Sequence, residues 1–94
     1  MLQYGYIYES TDKRNQILYI GKRKGDFDPE YHGSSLCVNN ILNKYGNDIF
    51  TTKLIDYAKD KDQLNKMVIA YTKAYRLVYG NAGLYNISKC GESI

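Results

Sequence analysis

Eleven tyrosines stand in this chain against two phenylalanines and no tryptophan, and that imbalance governs what it can fold into. A phenol joins a large apolar ring to a hydroxyl that needs a partner once buried. The core must therefore be built partly from groups with a polar tip, and some rings must line surfaces. With 94 residues there is room for one core. A chain of this size buries only about two-thirds of the surface its unfolded form exposes, so the apolar residues must gather in one cluster. A single domain over 1–94 is the expectation.

No apolar stretch approaches the ~20 residues that span a bilayer, and no signal-like segment opens the chain, so a soluble, cytoplasmic protein without membrane partners is expected. Cys37 and Cys90 lie far apart and belong to no CxxC or Cys/His spacing, which reads as two free thiols in a reducing cytosol. Two cysteines and the lone His32 do not supply a closed four-ligand zinc set. The formal charge of +3, from 13 Lys and Arg against 10 Asp and Glu, permits nucleic-acid contact without demanding it. Its distribution says more. Lys13, Arg14, Lys22, Arg23 and Lys24 crowd the first quarter, while Asp26, Asp28, Glu30, Asp56, Asp60 and Asp62 lie further along. That asymmetry suggests one basic face, against the plainer reading of a solvated run of charge.

The residues from Gln3 to Glu9 read as a strand, and the polar run Ser10 to Gln16 as the turn that stops it. Ile17 to Ile20 is a second β-prone run closed by Gly21, close enough for an antiparallel hairpin at the centre of a sheet. Lys22 to Ser35, with the only proline, reads as a loop. Cys37, Val38, Ile41, Leu42 and Tyr45 recur at helical spacing, which predicts a helix over Ser35 to Tyr45 capped by Ser34 or Ser35 and ended by Gly46. Phe50 to Tyr57 predicts a third strand of imperfect alternation. Asp60 or Asp62 can cap a second helix whose stripe is Leu64, Met67, Val68, Tyr71, Tyr75 and Val78, ended at Gly80 or Gly83. Leu84 to Ile87 reads as a short extended tail. The fold class is α+β: a small three-stranded antiparallel sheet flanked by helices.

Hydrolysis of a phosphodiester needs an activated water, positive charge on the phosphate and stabilisation of the leaving oxygen. The chain has no phosphate-cradling P-loop, no convincing nucleophile triad around one histidine, and no carboxylate pair at i, i+3 or i+4 in the long helix. What remains is tyrosine beside cations: Tyr8 and Tyr19 on adjacent strands, then Lys22, Arg23 and Lys24. A phenol with an ordinary pKa of about 10 becomes a base only where positive charge or a metal lowers that value. By itself such a pair is more often cross-strand packing.

Tyr6-Ile7-Tyr8 followed by Tyr19-Ile20-Gly21 resembles the two signature tripeptides of the GIY-YIG nucleases. Lys22-Arg23-Lys24, Tyr31-His32-Gly33-Ser34-Ser35, Lys44-Tyr45-Gly46 with Phe50, and Tyr85-Asn86-Ile87 resemble segments of phage-type, homing-endonuclease-like members in the same order, so the likeness spans almost the whole chain. It implies a sheet sandwiched by helices with an active site on one exposed sheet face, a DNA endonuclease activity, and one Mg²⁺ or Mn²⁺. It also implies roles. Tyr19 would be the general base or orient the attacking water, with Tyr8 hydrogen-bonding beside it. Gly21 would let the backbone approach the phosphate. Arg23, or Lys24 in its place, would steady the phosphate next to Lys22, and His32 would contact substrate or assist proton transfer. Asn86 would support the site or the fold.

Three departures accompany the likeness. Tyr6 stands where a glycine is usual, Leu36 where a basic residue is usual, and no Asp or Glu occurs from Gln63 through Gly91, although the family binds its metal through a glutamate on the long helix. Matching the helix places the missing acid at Val68, and counting back from Tyr85-Asn86 places it at Ala70. The apolar stripe includes Val68, which favours Ala70. The expectation is thus an endonuclease disabled at its metal ligand. The alternative is a naturally non-catalytic DNA-binding or protein-interaction module on the same fold. With no spare length, specificity would be modest, or come from a homodimer or an accessory DNA-binding partner.

Overall fold

The computed structural model describes residues 3–33 and 35–86. Strands β1 (Gly5–Asp12), β2 (Leu18–Lys24) and β3 (Phe50–Ala58), with helices α1 (Leu36–Tyr45) and α2 (Lys61–Tyr79), form the α+β architecture expected. The sheet is antiparallel in the order β2-β1-β3, so β1 is its centre and β2 an edge.

β1 runs on through Ser10, Thr11 and Asp12, which the sequence assigned to a turn. These polar residues remain in the strand because tertiary partners satisfy them. Ser10 donates to the His32 carbonyl oxygen at 3.0 Å and lies 2.6 Å from the Thr52 hydroxyl. Asp12, fully buried, accepts from the Arg14 guanidinium at 2.7 and 3.1 Å and from the Tyr85 hydroxyl at 2.6 Å. β2 likewise continues past Gly21. β3 pairs Leu54 with Tyr8 and Asp56 with Ile7, leaving Ile55 as the extra residue of a bulge. That one-residue slip is the cause of its imperfect alternation.

Both helices are fixed at their ends by side chains. Ser35 accepts from the Val38 amide at 3.1 Å and Asp60 from the Gln63 amide at 2.8 Å, each satisfying an otherwise orphaned donor of the first turn. Gly46 and Gly80 end them at φ 91° and 76°, a conformation that disfavours any side chain. The core divides between the two faces of the sheet. Ile7, Leu18, Ile20, Ala58, Leu64 and Leu84 cluster under α2. Val38, Ile41, Phe50 and Tyr85 cluster under α1. The end of α2 carries no such burial: Val78, placed in the apolar stripe by its spacing, is 75% exposed.

The tail segment is shorter than a strand. Leu84 makes one parallel bridge to Leu18, the Tyr85 amide donates to the Leu18 carbonyl at 2.8 Å, and Ile87 lies outside the described residues. Cys37 is disulfide-bonded, which overturns the free thiol expected there, since separation in sequence says nothing about separation in space. Cys90 lies outside the described residues. No helix among the described residues is long and apolar enough to cross a membrane.

A candidate site at the edge of the sheet

Strand alternation decides which side chains meet. In the β1–β2 register Tyr8 faces Gly21, Ser10 faces Tyr19 and Tyr6 faces Arg23, so all of these share one face of the sheet. Tyr8 and Tyr19 are tilted rings with centroids 6.2 Å apart. The face is not open, as the sequence suggested. The loop after β2 folds back over it, setting Phe27 on Tyr6 at 5.4 Å and Tyr31 on Tyr8 at 5.7 Å, while the Asp28 amide donates to the Tyr6 hydroxyl at 3.3 Å.

Gly21 has a role in this packing that its sequence context did not reveal. A Cβ there would stand 2.2 Å from the Tyr8 hydroxyl oxygen, far inside contact distance, so only glycine lets the Tyr8 ring cross β2. Gly33, at φ 135°, would bring a Cβ within 3.0 Å of the Tyr19 ring. Two glycines thus frame the two phenols.

The phenols reach a cavity of about 500 Å³ between the outer side of β2 and α2. Tyr8, Tyr19, Gly21, Lys22 and Asn86 line it on one side, and Val68, Thr72, Lys73 and Arg76 on the other. Asn86 holds its corner by accepting from the Ile20 amide at 2.9 Å and donating to the Ile20 carbonyl at 2.7 Å.

Ala70 does not face this space. It lines a separate hollow with Asp60, Asp62, Gln63, Lys66 and Met67. At about 100° per residue it is turned roughly 160° from Thr72, so distance from the apolar stripe carried it to the wrong flank of the helix. Val68 both packs on the core and lines the tyrosine cavity.

His32 also lies elsewhere. It is buried, with Nδ1 2.5 Å from the Thr52 hydroxyl and its ring stacked on Phe50 at 5.9 Å. It borders a hollow formed with Lys13, Glu30 and Asn47. Burial holds its imidazole below the usual value, opposed by the charge of Glu30.

The basic run does not form one face. Arg23 pairs with Asp28 at 3.1 Å and lies 4.1 Å from the centre of the Tyr31 ring. Lys22 and Lys24 alternate to the other side, where Lys22 donates to Asn65 and Lys24 lies 5.4 Å from the centre of the Tyr4 ring. Arg14 is held by Asp12 and lies against Tyr45. The cavity's remaining positive charge comes from Lys73 and Arg76, which the sequence reading passed over. Their signal was the spacing of Ile69, Thr72, Lys73 and Arg76 at i, i+3, i+4 and i+7, a second stripe beside the apolar one.

The electrostatics of the phenols run opposite to activation. Burial pushes Tyr8 well above the usual phenol value, Tyr19, Tyr31 and Tyr6 add to the rise, and only Arg23 opposes it. Burial raises Tyr19 as well, with Tyr31 adding and the Ser35 hydroxyl opposing. Both rings are neutral at physiological pH and act as hydrogen-bond donors and acceptors.

The chain is 27% identical over 90 residues to "Putative endonuclease segC" of Enterobacteria phage T4, a match covering 86% of this chain and 46% of that protein. It therefore spans less than half the length of this relative. No family model and no solved structure matches it. The similarity supports a nuclease character in general terms.

A divalent metal of the magnesium type wants oxygen donors, with one or two carboxylates among them. The cavity has two neutral phenols, a Thr72 hydroxyl that donates to the Val68 carbonyl at 2.7 Å, and an Asn86 amide engaged by Ile20. Among the described residues no three His, Cys, Asp or Glu side chains converge on a metal position. As the chain stands, these residues do not fit the ion.

Proposed function

We propose that this chain is a DNA endonuclease domain of the GIY-YIG kind in a form that lacks its metal-binding carboxylate. The observation that carries the reading is that Tyr8 and Tyr19 line one cavity together with Val68 of α2. The tripeptides that contain these tyrosines and the similarity to an endonuclease-named phage protein support the same reading. Tyr8 and Tyr19 would supply hydrogen bonds around a phosphate and its attacking water, and Gly21 would keep the Tyr8 hydroxyl at the cavity rather than beneath the strand. Asn86 would brace the edge of β2. Arg23, at the far end of the same sheet face, would act on the charge of the tyrosine cluster through space.

Val68→Glu should convert the protein into a Mg²⁺-dependent nuclease on plasmid DNA, with Val68→Gln and Ala70→Glu inert. The readout is loss of supercoiled substrate with and without a chelator. A folded Val68→Glu protein that leaves the plasmid intact in Mg²⁺ and in Mn²⁺ defeats the disabled-nuclease reading.

A second reading, a non-catalytic DNA-binding module, is favoured by the apolar Val68 at the cavity and by phenols raised rather than lowered in pKa. It predicts duplex binding by the protein as it stands and no gain of cleavage in Val68→Glu.

A further inference from the structure

We infer that Lys73 and Arg76 of α2 hold the phosphodiester backbone of duplex DNA at the tyrosine cavity, the positioning task that the sequence pattern assigned to Arg23. This rests on the preceding reading that DNA is the ligand, and it names the residues and the helix along which the backbone runs.

Three observations lead there. First, the cations after the second tripeptide have internal partners: Arg23 is tied to Asp28 and Tyr31, and Lys22 to Asn65. Second, Lys73 and Arg76 are exposed and line the cavity that Tyr8 and Tyr19 reach. Third, among the described residues neither forms an ion pair with a carboxylate. Among the described residues Arg76 donates just its Nε hydrogen, to Asn81 at 2.7 Å, which fixes the guanidinium plane and leaves its terminal amino groups for a ligand.

The geometry suits a polyanion. Residues three apart on a helix lie on one face, displaced by roughly 4.5 Å along its axis, and the long side chains at both positions can spread to reach along one strand of a duplex. Two cations at that spacing can neutralise neighbouring phosphates. Val68 and Ile69 add apolar surface to the lining, and Lys22 adds a third cation from the β2 side. That apolar surface lowers the local dielectric and strengthens the contacts to phosphate.

The test is binding of the full chain to a short fluorescent DNA duplex, followed by anisotropy over a salt series. The expected result is a linear fall of log K with log salt. In Lys73→Ala/Arg76→Ala its slope is smaller by about 1.8, two contacts at about 0.9 each, with affinity at low salt down about tenfold or more. Lys73→Arg/Arg76→Lys should keep the wild-type slope. Lys44→Ala/Lys53→Ala, which removes the same formal charge from exposed positions on α1 and β3 outside the cavity lining, should change it by less than half as much. Circular dichroism verifies that the variants are folded, which their exposed positions favour. Equal slopes for the two alanine pairs overturn the inference and leave DNA as the ligand. A wild-type protein that binds no duplex at low salt overturns the DNA reading itself.

Discussion

Ile7 and Tyr8 are neighbours in the chain and equally hidden from solvent, yet they face opposite sides of the sheet and are held by different forces. Below β1, Ile7 packs with Ile20, Leu18 and Leu64 in an apolar layer under α2, where area removed from water is the dominant stabilising term. Above it, Tyr6, Ser10 and Asp12 bury hydroxyls and a carboxylate matched by specific partners, and the Tyr8 ring is enclosed by those of Tyr6, Tyr19 and Tyr31. The first side needs only correct volume. The second needs correct geometry, since an unmatched buried polar group costs about 1–3 kcal/mol. The layer that requires exact partners is also the one that aims two phenols at the cavity, which makes it the face where function and stability share the same atoms.

Three measurements sharpen this contrast. Ile7→Ala should cost the most, about 3–4 kcal/mol in denaturant unfolding for a fully enclosed side chain, while leaving duplex binding per folded molecule unchanged. Gly21→Ala should cost about 2 kcal/mol, as expected for overpacking, and unlike Ile7→Ala it should also lower duplex affinity, because the Tyr8 ring must leave its place over β2. If both variants alter binding equally once folding is accounted for, the division of labour between the faces is wrong.

The smallest effect is one of pH. Burial lowers the His32 pKa below its ordinary 6.5, so between the folded value and 6.5 the unfolded chain holds more protons. Unfolding free energy therefore rises with pH across that window, by at most about 1.4 kcal/mol per pH unit, and is lost as pH falls. His32→Gln should flatten the stability profile immediately below pH 6.5. An unchanged slope would show that the imidazole is as easily protonated in the fold as outside it.

The elements were legible where local chemistry and tertiary demand coincide. Ser35, Gly46, Asp60 and Gly80 mark helix ends because caps act within a few residues. The end of β1 was not legible, because Ser10 and Asp12 look like turn residues until Thr52 and Tyr85 arrive from elsewhere. Within the site, Tyr8, Tyr19, Gly21, Lys22 and Asn86 come together at one cavity, as their tripeptides and tail motif suggested. His32 does not, because a loop residue's destination depends on how the loop folds back. Arg23 remains on the tyrosine face but outside the cavity lining, bound to its own loop. Ala70 lines a different hollow, because helical periodicity gives angular distance from the buried stripe but not which of the two flanks meets β2. The same ambiguity hid Lys73 and Arg76.

Asn86 has a consequence beyond the site. By giving Ile20 both a donor and an acceptor, with Tyr85 bonded to Leu18 just before it, it occupies the main-chain valences of the outermost strand as a neighbouring strand would. An incoming extended peptide finds that border already paired at Leu18 and Ile20, while β3 on the opposite border presents the exposed side chains of Thr51, Lys53 and Asp56. Such features deter strand-by-strand polymerisation in a sheet this small. Two copies of the chain would more readily meet through helical surfaces than through their sheets.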